Sequence, residues 1–258
     1  MKGLDTMEIR TFGEGERLLA CRRVLLETAE TADFSVSRLF LLPIPSTRDR
    51  KTITGTNLSL DEAFDGIGQG DAVAGYAIPE NIKAELVERG AIVYDCAEDE
   101  NFLLRNAEVT ARGALGYILT NFKKDITDLR VGIVGYGRIG TCLLHYLLFL
   151  GAPVTLYTTR ESVAMELSAA GVNASSAFEG ISELDLLVNT APAALLKGGE
   201  VRSLLSRGVI LDLASGNVFA DIADVVKLPS VPERFYPLSA GKIYAQHIAM
   251  RLLGGAVC

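Results

Sequence analysis

Two histidines in 258 residues leave too few imidazoles for a multi-histidine metal site. The four cysteines, Cys21, Cys96, Cys142 and Cys258, lie far apart with no C-x-x-C pair. That argues against zinc and for free thiols in a reducing cytoplasm. There is no basic tract and the net charge is -7, so nucleic acid is not an expected partner. A membrane-spanning run is also missing. The best candidate, "TCLLHYLLFLGAPVTLY", is broken by His145, Gly151 and Pro153 and reads as a buried helix followed by a strand. The opening "MKGLDTMEIRTFGEGER" has no apolar h-region, so no secretion signal is expected. What is abundant is apolar residue, 49% against 22% charged. With this length, that composition fits a compact soluble protein of two domains.

Periodicity gives the organisation. "GERLLACRRVLLETAE" has helical apolar spacing, "SRLFLLPIP" is a strand stopped by Pro43 and Pro45, and "LSLDEAFDGI" is a short helix. "DAVAGYAIP" is a strand, "PENIKAELVERG" a helix between Pro79 and Gly90, and "AIVYDCAE" another strand. A long helix runs from Glu100 to about Phe122. Alternation then restarts with strands at 130–134, 153–158, 185–189 and 208–213 and helices at 138–150, 161–170 and 199–206. "SAGKIYAQHIAMRLLGG" closes as a helix with Gly254 and Gly255 as stop signals. The expectation is an α/β protein of two doubly wound parallel-sheet domains, flavodoxin-like then Rossmann, joined by the long helix. Their bounds are set at 1–105 for the first domain and 106–235 for the dinucleotide-binding domain, with the linking helix at 100–122. Residues 236–258 form a C-terminal helix returning toward the first domain. The cleft between the domains is the expected active site.

The stretch "VGIVGYGRIGT" holds Gly135, Gly137 and Gly140 in the spacing G-x-G-x-x-G, after a strand and opening a helix. In that setting Gly135 makes the tight turn, Gly137 lets backbone approach a pyrophosphate and Gly140 lets helix pack on sheet. The helix N-terminus offers N–H groups to phosphate. Tyr136, Arg138 and Ile139 belong to the same turn, and Arg138 adds a cation. The next strand ends in Thr158, Thr159 and Arg160, with no acid among them, which favours a 2′-phosphate and hence NADP over NAD. Two readings stand against this: Arg160 as a solvated first-turn residue, and Glu161 shifted by one residue onto a ribose. Further strand ends place Thr190, Ala191 and Pro192 along the riboses and Ala214 and Ser215 near the nicotinamide, with Asp212 either functional or structural.

The order and spacing of "LPIPSTRD" (42–49), "NAEVTARGA" (106–114), "VGIVGYGRIG", "VNTAP", "ILDLAS" and "PLSAGK" (237–242) resemble the dipicolinate synthase A family. The turn and "DLAS" are shared with D-isomer 2-hydroxyacid dehydrogenase-type Rossmann proteins. The resemblance implies an oxidoreductase of endospore formers that oxidises dihydrodipicolinate to dipicolinate with NADP, in the mother-cell cytoplasm. It also implies a flavoprotein-like partner, dipicolinate synthase B. The chain departs from the family pattern in places. P-T-A/V-E-G on the long helix becomes Val109-Thr110-Ala111-Arg112-Gly113, Leu238 and Ser239 replace a lysine and a threonine, and "DLASGNVF" lacks R-P-G-G.

A small dicarboxylate needs cations or N–H donors for its carboxylates and a group to take a proton. Ser46, Thr47 and Arg48 after the "LPIP" strand, Thr110 and Arg112 on the long helix, and Ser239 and Lys242 on the last helix are the candidates. Arg48 also reads as a solvated charge, and so does Arg112. No general base is evident: His145, among leucines, reads as a buried or half-buried packing residue and His247 as structural. The 230–240 stretch has no histidine, which disfavours hydroxyacid oxidation. The apolar composition and the terminal helix are compatible with a homodimer.

Overall fold

The computed structural model describes residues 7–32, 35–193, 195, 201, 203–204, 206–214, 219 and 224–252. The chain divides into two compact units, one of Met1–Asn106 with Tyr236–Cys258 and one of Ala107–Phe235. Each is a parallel-sheet α/β unit.

The first unit holds strands β1 (Glu8–Thr11), β2 (Arg38–Leu41), β3 (Asp71–Gly75) and β4 (Ile92–Asp95). Its helices are α1 (Glu16–Ala29), α2 (Leu60–Ala63), α3 (Glu80–Glu88) and the start of α4 (Glu100–Asn121). All pairings are parallel and the order is β1-β2-β3-β4. Flavodoxin order, 2-1-3-4-5, puts a strand outside the first. Here the chain passes from α1 to β2, and among the described residues no strand flanks β1. One face packs Phe40, Leu42 and Val73 against Phe64 of the α2 turn and Ile82 and Leu86 of α3. Leu39, Leu41, Ala72 and Ala74 alternate to the other face and are also buried. Burial on both faces explains the near-continuous apolar strands. Arg38 lies opposite Asp71 and grips its carboxylate with Nε and Nη2 at 2.8 and 2.6 Å.

The second unit holds β5 (Val131–Val134), β6 (Val154–Tyr157), β7 (Ala174–Ser175), β8 (Leu186–Asn189), β9 (Val209–Asp212) and β10 (Val226–Lys227). The order β10-β9-β8-β5-β6-β7 is the doubly wound 3-2-1-4-5-6 arrangement, reversing between β5 and β8. Helices α5 (Arg138–Phe149), α6 (Glu161–Ala169) and α7 (Val231–Phe235) and the rest of α4 belong to the unit. Leu143, Leu144 and Leu147 of α5 pack with Val131, Ile133, Leu156 and Val188. Of the helix expected at 199–206, residues 199, 200, 202 and 205 lie outside the described residues. His145, expected to be buried or half-buried, is exposed: a leucine-rich helix hides in sequence which face turns outward, and here His145 and Phe149 do.

The last helix, α8 (Pro237–Leu252), belongs to the first unit and lies along α1. Gly241 makes that approach close, because a Cβ there would collide with the Arg17 carbonyl and lie 2.6 Å from Ala20 Cβ. Asp99 caps α4 by accepting from Phe102 N–H (3.1 Å), and its other oxygen meets His247 Nδ1 of α8 (3.0 Å) and the Tyr94 hydroxyl (2.8 Å). Among the described residues no helix is long and apolar enough to cross a membrane.

Candidate functional site

The glycine turn sits where β5 ends and α5 begins, at the switch point of the second sheet. Its three glycines meet different surroundings. Gly135 has φ +99°, which a side chain rarely adopts. A Cβ on Gly140 would strike the Gly135 carbonyl, so this glycine is needed for packing. A Cβ on Gly137 would meet nothing within 4 Å, so this one leaves open space at the helix N-terminus. Gly137 is the N-cap of α5 and supplies no side-chain cap, which leaves the first amides of the helix facing outward. Open space, bare amides and a positive dipole end form a cradle fitted to a phosphate. Arg138 is exposed at that end, and Tyr136 and Ile139 are half-buried against the core.

The strand ends around the turn are braced by polar groups. Thr190 Oγ1 donates to Val134 O (2.9 Å), joining β8 to β5. Buried Asn189 donates through Nδ2 to Asp212 Oδ1 (2.8 Å) and to Ala191 O (3.1 Å). The same Asp212 oxygen accepts from Ala214 N–H (3.2 Å). This gives Asp212 a structural task, holding the loops after β8 and β9 in place. Ala191 is buried and Pro192 exposed, while Ser215 lies outside the described residues.

At the end of β6, Thr158 is buried and its Oγ1 accepts from Arg160 N–H (3.3 Å), while Thr159 is exposed. The Arg160 guanidinium reaches back across the turn and donates from Nη2 to Tyr136 O (3.0 Å). Strand spacing does not reveal this contact, which fixes a cation beside the glycine turn with further N–H groups to offer. Glu161 is exposed at the start of α6.

The other candidates make contacts of their own. Arg112 donates to the Tyr146 hydroxyl of α5 (3.3 Å) and lies 3.9 Å from Glu108, half exposed. Thr110 is buried on α4. Burial pushes the nearby Cys142 thiol up. In the first unit, Ser46 is buried, its hydroxyl accepting from Tyr76 N–H (2.8 Å), and Thr47 Oγ1 donates to Asp49 (3.1 Å). Arg48, Ser239 and Lys242 are exposed. Sequence reasoning missed Asp49 as a hydrogen-bond hub, although an Asp followed by Arg-Lys-Thr is a turn signal. It also missed the Asn189–Asp212 brace, for which no local signal exists. Among the described residues no cluster of His, Cys, Asp or Glu could hold a metal ion.

Fold and turn together define a two-unit α/β protein whose second unit is of the Rossmann type. Residues 108–223 match the model of the D-isomer specific 2-hydroxyacid dehydrogenase, NAD binding domain. Dipicolinate synthase A of Bacillus subtilis is 23% identical over 183 residues, which are 67% of this chain and 61% of that protein. The matched stretch thus spans less than two thirds of the curated relative. Among solved structures, dipicolinate synthase A from Bacillus halodurans aligns with a TM-score of 0.77 at 19% identity, covering 96% of this chain and 98% of that one. An L-alanine dehydrogenase aligns with a TM-score of 0.60 at 16% identity, covering 96% and 89%. The motif resemblance to dipicolinate synthase A therefore extends to the curated relative and to the fold.

Proposed function

We propose that the chain is an NADP-dependent oxidoreductase of the dipicolinate synthase A kind, oxidising dihydrodipicolinate to dipicolinate during endospore formation, in concert with dipicolinate synthase B. The observation that carries the cofactor reading is the Arg160 guanidinium held against Tyr136 O beside an open, uncapped helix N-terminus, with no carboxylate at the end of β6. The residues that would hold the dinucleotide are Gly135 to Gly140, Thr158 to Arg160, Thr190 to Pro192 and Ala214. Held there, NADP would supply the hydride acceptor for aromatisation of the ring, with one proton going to a base. The protein's own part is to present amide N–H groups and Arg160 to phosphate and to brace the loops after β8 and β9 through Asn189 and Asp212.

A second reading, a dinucleotide-binding protein that leaves the chemistry to a partner, is favoured by one observation. His145 is exposed on α5, and the His247 ring is buried and taken up by the Asp99 carboxylate within the first unit. Dipicolinate formation from fresh dihydrodipicolinate and NADP⁺, by the pure protein with and without dipicolinate synthase B, separates the two. Product from the chain alone supports the first reading. Product only from the mixture supports the second. No product from either overturns the assignment to dihydrodipicolinate.

A further inference from the structure

The loops at the carboxyl ends of β2, β3 and β4, the ligand side of a parallel sheet, are tied together. Ser46 N–H donates to Tyr76 O (2.9 Å) and its hydroxyl accepts from Tyr76 N–H. Asp95, ending β4, accepts from Ala77 and Ile78 N–H, each at 2.8 Å. Three non-glycine residues have left-handed backbone among the described residues, and two of them lie here, Arg50 at φ +62° and Ala77 at φ +55°. Such conformations persist where the surroundings impose them, and they concentrate at ligand sites.

Asp49 is what imposes the one at Arg50. Its carboxylate accepts from Lys51 N–H (2.8 Å), Thr52 N–H (2.8 Å), Thr52 Oγ1 (2.9 Å) and Thr47 Oγ1 (3.1 Å). The Thr52 and Lys51 amides hold that carboxyl far below the usual range. The single anion of Arg48-Asp49-Arg50-Lys51 is thus committed to the loop's own backbone, while the three cations are exposed. Among the described residues neither Arg50 nor Lys51 has an ion pair, although the protein carries a net charge of -7. Two exposed cations without an ion pair, on a hydrogen-bonded loop at a ligand edge, suit a carboxylate as their partner.

We propose that the 48–51 loop is a preformed carboxylate-docking element for the substrate, with Arg50 and Lys51 as its cations and Asp49 as the positioning residue. This rests on the reading of the chain as an oxidoreductase of a small dicarboxylate.

The test is calorimetric titration of the NADP⁺-saturated protein with dipicolinate, and in parallel with malonate, succinate and glutarate. Arg50→Gly keeps the left-handed backbone and removes the guanidinium. It and Lys51→Ala should each weaken dicarboxylate binding about tenfold, and the double variant should abolish it, with NADP⁺ affinity and the melting temperature retained. Asp49→Asn makes the loop more positive yet should also weaken binding, because the loop loses its frame; simple charge attraction would strengthen it. A double variant that binds like wild type, or a wild type that binds none of the four acids, overturns the proposal. Loss of dicarboxylate binding in the double variant of a protein that forms no dipicolinate would sustain the docking element and sink only the dipicolinate assignment.

Discussion

Gly137 and Gly140 stand three residues apart and should respond to substitution in opposite ways. Gly140→Ala drives a methyl into the Gly135 carbonyl, and overpacking against backbone costs about 1–3 kcal/mol, read as a lower denaturant midpoint. Gly137→Val adds its side chain to open space, so stability should hold to within about 0.5 kcal/mol while dinucleotide affinity falls at least tenfold. Equal loss of stability in both would mean that the turn is only a packing device. Arg160→Ala should weaken NADPH binding by about tenfold or more and leave NADH nearly unchanged, measured by equilibrium titration. The glycine spacing was legible because its geometry is local. Arg160 was legible as a residue type at a strand end, but its bond to Tyr136 spans 24 positions and exists only once β5 and β6 pair.

Among elements, legibility followed burial. β5 and β8 are buried along their whole length, so their apolar runs declare them. β1 was missed because "EIRT" exposes Glu8 and Arg10 and buries only Ile9 well, too short an alternation to read. β7 and β10 have two residues each and carry no pattern. The docking of α8 on α1 has its own tests. Gly241→Val forces the helices apart and should cost about 1–3 kcal/mol in urea unfolding. Burial raises the Asp99 carboxyl, yet the Phe102 amide, the Tyr94 hydroxyl and His247 outweigh it, and the net shift is downward. A depressed carboxyl stabilises the fold above its unfolded value of about 3.9 and loses that contribution as pH falls through the lower folded value. Asp99→Asn should therefore be less stable than wild type at pH 7, and the gap should close as the pH falls from the unfolded value of about 3.9 through the lower folded value. A gap that stays constant across that range would mean that the Asp99 charge contributes nothing to the docking.

For the whole molecule, the two units share the continuous helix α4, with the division falling between Asn106 and Ala107. The fold class was readable because alternation of strand and helix forces parallel sheets. The chemistry was less so, since contacts such as Asn189 to Asp212 join distant segments only through tertiary structure. A ligand confined to the second unit stabilises it by mass action, about 2.7 kcal/mol at a concentration 100 times its dissociation constant. The most direct measurement is an equilibrium titration of the protein with NADPH and with NADH, followed by nicotinamide fluorescence. Saturable one-to-one binding of NADPH, tighter than NADH by about tenfold or more, is the expected result. NADH binding as tightly as NADPH would contradict the role given to Arg160, and saturation by neither would contradict the dinucleotide site itself.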